Sequence, residues 1–255
     1  FYIGNGAAHK VMEFSSYGDL LALYYNPAEN PSPILLKEDS KEGSVSNRKA
    51  FSYPFINIGQ LGVTETSMLL IVDEVPADRE IWDEETGTLL RNVILRFDPE
   101  GVLINYIGQE GIGGTPFPYI EAMEVTLADN VTLVTRTMAQ WIVYSFDAEG
   151  NKLAEYVLDE DILPSAGEGT IMSLDAVIPG QDSDIIFVKT DYYKNQIEQE
   201  NAQDADYRFH MSSVHWIDIG TGELGGTVEL PPALRTSGVS QLFNKEEEEA
   251  IQYLL

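Results

Sequence analysis

Two stretches of this sequence gather most of the side chains that could do chemistry. Residues 73–91, "DEVPADREIWDEETGTLLR", set Asp73, Glu74, Asp78, Glu80, Asp83, Glu84 and Glu85 around a lone Trp82. Residues 191–208, "DYYKNQIEQENAQDADYR", set Tyr192, Tyr193 and Tyr207 among Glu198, Glu200, Asp204 and Asp206. Carboxylates mixed with aromatic rings suit recognition of a cationic peptide or a basic protein surface, with the rings as anchors. Catalytic chemistry finds less to work with. The chain has no cysteine, so thiol nucleophiles, disulfides and zinc–thiolate sites are excluded. Of the histidines, His9 stands alone, and His210 and His215 are five apart in a strand-like run, which puts them on opposite sides of a pleat. The run "GIGGTP" at 111–116 is glycine-rich but precedes a strand, so it lacks the helix N-terminus of a phosphate site. Arg136 is the only cation in its short loop, placed either to bind an anionic group or to pair with acidic neighbours.

The charge balance narrows the partner. With 42 Asp and Glu against 15 Lys and Arg, the formal net charge is −27. Nucleic acid is excluded, because affinity for a phosphate backbone depends on clustered cations. An anionic membrane surface is disfavoured for the same reason. A protein surface, a cationic ligand or Ca²⁺ fits the sign. No window holds the 18 or more apolar residues of a membrane-crossing helix, and the 44% hydrophobic composition supports a large core. The opening "FYIGNG" and closing "AIQYLL" already read as strand interiors, which predicts a piece of a longer protein.

The elements that must hold these loops are short strands in a recurring pattern. "KVMEFSSYGDLLALYY" (10–25), "VILRFDPEGVLINYIG" (93–108) and "IVYSFDAEGNKLAEYVL" (142–158) each alternate apolar residues on either side of a Gly-containing turn. Glycine supplies the positive φ of a tight hairpin, and Asp or Ser supplies local backbone hydrogen bonds. A further strand and link precede most of these hairpins, giving units of four strands, a to d, joined as a meander. A repeated four-stranded unit selects a β-propeller among all-β folds. The expected blades cover 1–27 (strands b to d), 55–108, 119–158, 170–230 and the start of another at 237–255, all in one domain over 1–255.

The junction "RFDPEGVLINYIGQEGIGGTPFPYIEAMEV" (96–125) resembles NHL-repeat β-propellers, including Ile107-Gly108, Gly111 and Pro118. At the family's "YVxD" aspartate this chain has Asn5, Asp73, Arg136 and Thr190, so the aspartate is kept once. The resemblance implies a six-bladed ring, of which four to five blades are present. It also implies a bacterial lipoprotein or periplasmic protein, and hence an extracytoplasmic location. In lactonase- and lyase-type relatives a metal occupies the central channel. By that resemblance the inner strands offer Asn57, Glu121, Glu124, Asp175 and Gln241, with Glu124 and Asp175 the candidate Ca²⁺ ligands.

The long connections are 26–54, 73–91 and 191–209, all of the b–c or d–a kind, and these leave one end of a propeller. Binding residues gather on loops held by a rigid scaffold. The expected function is therefore a non-enzymatic scaffold that needs no cofactor. It would bind a protein or cationic ligand through Asp78, Glu80, Trp82, Asp83, Arg136, Tyr192, Tyr193 and Tyr207. The alternative is a Ca²⁺-dependent hydrolase or lyase with its site in the channel.

Overall fold

A computed structural model describes residues 1–29, 49–182, 184–195 and 207–231. Two compact units emerge: Phe1–Leu158 with Pro179–Ser183, and Asp159–Ile178 with Asp184–Leu255.

The first unit holds three sheets. Sheet one orders β1 (Tyr2–Asn5), β2 (Lys10–Phe14), β3 (Leu20–Tyr25) and β4 (Lys49–Ser52). The first three strands are antiparallel neighbours, as expected for 1–27, but β4 pairs with β3 in parallel. The connection expected over 26–54 thus ends in a strand on the outer edge of the sheet. Phe51 explains the addition, because its ring packs against Tyr24 at 4.9 Å between centroids. One aromatic in a short polar run leaves little alternation to read from sequence. Residues 30–48 lie outside the described residues.

Sheet two contains β5 (Leu61–Val63), β6 (Leu69–Glu74), β9 (Asn92–Phe97), β10 (Leu103–Gly108) and β11 (Gly111–Ile112), in the order β5-β6-β9-β10-β11. Between β6 and β9, β7 (Ile81–Asp83) and β8 (Thr88–Leu90) form a separate two-stranded hairpin. Sheet three is the meander β12 (Tyr119–Val125), β13 (Val131–Arg136), β14 (Trp141–Phe146) and β15 (Lys152–Val157).

The core follows from side-chain alternation. Leu69 and Ile71 face one way and pack with Val11, Tyr24 and Phe55 of the sheet-one side. Leu70 and Val72 face the other way and pack with Ile120, Leu133 and Tyr144 of sheet three. Both faces of sheet two are buried, which is why "LLIV" is apolar without interruption. The innermost strands also meet in succession, β1 with β5 and β5 with β12. Sheets stacked face to face around their inner strands are the blades of a β-propeller.

Polar side chains tie one blade to the next. Gln60 Nε2 donates to the Glu121 carbonyl at 2.8 Å, and Tyr144 OH donates to Gln109 Oε1 at 3.2 Å. The buried Arg96 guanidinium donates to the carbonyls of Ala148 and Glu149 at 2.7 and 2.5 Å. The recurring turns have one geometry: Asp98 and Asp147 each accept the backbone N–H four residues on, at 2.8 Å, and Gly101 and Gly150 adopt φ of 81° and 89°. Glycine is required there, since other residues rarely occupy that region.

The second unit is described through one meander, β16 (Thr170–Pro179), β17 (Ile185–Asn195), β18 (Tyr207–Asp218) and β19 (Glu223–Glu229). Trp216 lies across Gly225 and Gly226, where a Cβ on either residue would collide with the indole. The blade start expected at 237–255 lies outside the described residues.

Candidate functional site

The acidic stretch 73–91 is two things at once. Its base is structural. Asp73 is buried at the end of β6 and accepts the backbone N–H groups of Ile56 at 3.1 Å and Asn57 at 2.7 Å. Burial pushes its carboxyl up, against the lowering effect of those backbone bonds. Glu74 accepts Asn57 Nδ2 at 2.9 Å and pairs with Arg91 Nε at 3.3 Å. These two carboxylates fix the chain's passage into sheet two and are not offered outward.

The tip is different. Pro76 ends the run from β6, a 3-10 turn at Ala77–Arg79 follows, and the β7–β8 hairpin then projects Ile81 and Trp82. The Trp82 side chain is 60% exposed, and Ile81 beside it is also exposed. Asp83 holds the hairpin turn, accepting Thr86 Oγ1 at 2.5 Å and the Glu85 N–H at 3.1 Å. The Thr86 hydrogen bond draws its carboxyl below the ordinary value, so it stays charged. Asp78, Glu84 and Glu85, near Trp82 in sequence, are exposed, and Glu80 is half-buried. An exposed ring in an acidic hairpin can receive a cation and the apolar surface beside it.

A second cluster leaves the same end of the unit. The a–b turns of blades two and three sit side by side, since the Glu65 N–H donates to Asp129 Oδ1 at 2.6 Å, so their b–c ends lie together opposite. Asn92 and Phe117 exchange backbone hydrogen bonds at 3.1 and 2.7 Å, and Asn92 Nδ2 donates to the Pro118 carbonyl. The hairpin's trailing arm is thereby joined to the residues leading into Tyr119. Tyr119, Arg136 and Trp141 form one row across β12, β13 and β14. Arg136 stacks 4.8 Å above the Trp141 ring, and its pairing with Glu121 is loose at 3.9 Å. Tyr119 is exposed, and Met138 in the adjoining loop is 90% exposed. Neither was a sequence candidate. Each side of Tyr119's strand carries one glutamate, so its alternation does not mark the ring as exposed, and Met138 lies in a short link of ordinary composition.

The stretch 191–208 is corrected. The loop expected over 191–209 does not begin at Asp191, because β17 runs through Tyr192 and Tyr193 to Asn195, and Tyr207 opens β18. Tyr192 is 2% exposed, and its hydroxyl donates to the Pro164 carbonyl at 2.6 Å, so its ring is core and not a loop anchor. Tyr193 packs edge-on against Phe209, and Tyr207 is exposed. The acidic residues Glu198, Glu200, Asp204 and Asp206 lie outside the described residues. His215 is buried between Thr190 and Thr227 hydroxyls, each at 2.8 Å, and burial lowers its pKa. His210 lies toward the exposed end of the same strand.

The channel candidates divide between the two units. Glu124 belongs to the first unit and Asp175 to the second. Asp175 is ion-paired with Lys189, which also approaches Asp191 at 3.5 Å. Asn57 is spent on Glu74, and Gln241 lies outside the described residues. Among the described residues no group of three His, Asp or Glu is placed to hold a metal ion. "GIGGTP" folds as β11 and its return, with the Glu110 carboxylate accepting the Thr115 N–H at 2.6 Å. It is a link between blades, as expected.

This array of meander blades defines a β-propeller, and among solved structures the chain has only distant likenesses. The chain is 12% identical to the Dos1 propeller, with a TM-score of 0.34, covering 90% of this chain and 60% of that one. To the β-propeller domain of the trilobed protease from Pyrococcus furiosus it is 9% identical, with a TM-score of 0.34 and coverages of 70% and 44%. To Pyrococcus horikoshii acylaminoacyl peptidase it is 11% identical, with a TM-score of 0.38, covering 69% of this chain but only 25% of that one. No family model matches the chain, the NHL repeat included, and no curated protein matches it in sequence. Likenesses this distant carry no inference for this chain. No helix among the described residues is long and apolar enough to cross a membrane.

Proposed function

We propose that the chain is a non-enzymatic propeller scaffold whose b–c end in the first unit docks a basic protein surface. The observation that carries this is the β7–β8 hairpin, which holds Trp82 out of the core among Asp78, Glu80, Asp83, Glu84 and Glu85. Exposing a large ring costs hydrophobic free energy unless something covers it. Tyr119 and Met138 extend the apolar surface, and Arg136 on its Trp141 platform supplies one cation for a partner's carboxylate. The net charge of −27 draws a basic partner from a distance and repels acidic ones. An extracytoplasmic setting for this scaffold is part of the same proposal, motivated by the NHL-like junction at 96–125.

The test uses a synthetic Lys/Arg-rich peptide carrying two leucines, titrated against the whole chain by calorimetry. Binding that falls about tenfold in Trp82→Ala, and again with Glu80→Lys and Glu84→Lys combined, is expected. Raising salt should weaken it as well. Binding that is indifferent to Trp82→Ala would place the contact elsewhere and overturn the assignment.

A further inference from the structure

The outer edges of the first unit's three blades are treated in three ways. In sheet one the edge strand β3 is covered by β4, added in parallel, with Ala22 opposite Lys49 and Tyr24 opposite Phe51. Phe51 also lies against Gly101, the turn glycine of the next blade, closely enough that a Cβ there would collide with the ring. In sheet two the edge strand β10 is covered by β11, with Ile107 opposite Ile112. Ile112 lies beside Gly150, the corresponding turn glycine of blade three. Each added strand therefore makes backbone pairs with an edge and sets one apolar side chain into the groove before the next blade.

Sheet three has no such cover among the described residues: its order ends at β15. The Leu158 N–H donates inward to the Trp141 carbonyl, so by antiparallel alternation Val157 and Glu155 direct their N–H and C=O groups away from the sheet. Leu153 and Val157 on that strand are 56% and 45% exposed. An open edge is ordinary in itself. Here it is the third in a series whose first two members the chain fills with its own residues.

We propose that the outer edge of β15 accepts an extended segment of a partner protein by strand addition. The segment fits if it carries one bulky apolar residue over Leu153 and Val157 and basic residues on either side. Basic character follows from the chain's charge and from the longer of its two fillers, since β4 begins at Lys49 directly after Arg48 in the sequence. The variants that test this edge, at Glu155 and Val157, are not those that test the hairpin, so either proposal can fail without the other.

The probe is the chain's own filler as a peptide, Ac-RKAFSYP-NH₂, matching residues 48–54. Hydrogen exchange on the whole chain should show the Glu155 and Val157 amides slowed by the peptide. Replacing the peptide's phenylalanine by serine should weaken binding about tenfold. Val157→Pro removes an outward N–H without touching the inner ladder, and should abolish binding with the melting temperature held. If that variant unfolds, Glu155→Lys provides the second variant, expected to weaken binding by repelling the peptide's cations. Binding that survives both variants, protection confined to β3, or no binding at millimolar peptide would overturn the proposal. So would a mass doubling of the protein alone that Val157→Pro abolishes, because the edge would then belong to a second copy.

Discussion

Residues 73–91 and 191–208 share a composition, acidic with aromatic rings, and have opposite fates. Trp82 stands on a projecting hairpin, whereas Tyr192 is sealed in a sheet. Composition does not distinguish them; phase does. In "IIFVKTDYY" the residues Ile186, Val188, Thr190 and Tyr192 continue one face of a strand, and all four are buried. The lysine and the acid on the other face, Lys189 and Asp191, bond with Asp175 and Ser212 respectively. In "DEVPADREIWDEETG" Pro76 cannot continue the ladder and the alternation stops. An aromatic in phase with the strand before it belongs to the core, and one beyond a break is available.

The largest effect should come from Tyr192. Replacing it by alanine removes a buried ring and the bond to Pro164, and should destabilise the second unit by about 3–5 kcal/mol in denaturant unfolding. Tyr192→Phe keeps the ring and should cost about 1–2 kcal/mol. A near-neutral Tyr192→Ala would return the residue to the surface and erase the contrast.

Next comes Asp73, the carboxylate in the hairpin stretch that behaves like core. Asp73→Ala strands the N–H groups of Ile56 and Asn57 and should cost about 2–3 kcal/mol. Asp73→Asn retains an acceptor and should cost less. Because the folded carboxyl titrates above its unfolded value, its ionisation penalty is fully present above the folded pKa. That penalty is relieved as pH falls through the folded pKa toward the unfolded one. The native protein should therefore gain on Asp73→Asn as pH is lowered across that window. Asp83, half-buried and drawn below its ordinary value by Thr86, should show the opposite sign: its contribution is present above the unfolded pKa and lost as pH falls through the folded one, and Asp83→Ala should remove it.

His215 sharpens the other side. Its folded pKa is depressed by burial, so its contribution is intact above the unfolded value of about 6.5 and is lost as pH falls through the folded pKa. Unfolding of the second unit should become easier with acid, and His215→Asn should remove most of that slope. A slope unchanged in the variant would mean that other groups set it.

The fold was legible because β-structure writes its period plainly. The turns at Asp98–Gly101 and Asp147–Gly150 and the uninterrupted "LLIV" of a strand buried on both faces are local signals with one structural meaning. What escaped were features decided by distant partners. Strand β4 exists because Tyr24 and Gly101 make room for Phe51, and Tyr192 is buried by a contact with Pro164. Trp82 was legible as a candidate because Pro76 and the Asp83–Gly87 turn mark a hairpin off the blade. Tyr119 and Met138 were not, since their exposure depends on where blade three places its b–c end.

The smallest effect on stability is the one that matters most for function. Trp82→Ala removes a ring that is mostly in solvent, so unfolding should shift by no more than about 0.5 kcal/mol. The ring does pair across the hairpin with Leu89, and loss of that contact should loosen β7–β8 without reaching sheet two, whose ladder closes below it through Val75 and Arg91. Hydrogen exchange should then speed at Ile81–Leu90 alone. If exchange also rises across β6 and β9, Trp82 is a structural clasp for its own blade, and the difference between the two acidic stretches is one of degree. If it does not, a residue with almost no stability role is being held in water by a built hairpin, as a docking anchor requires.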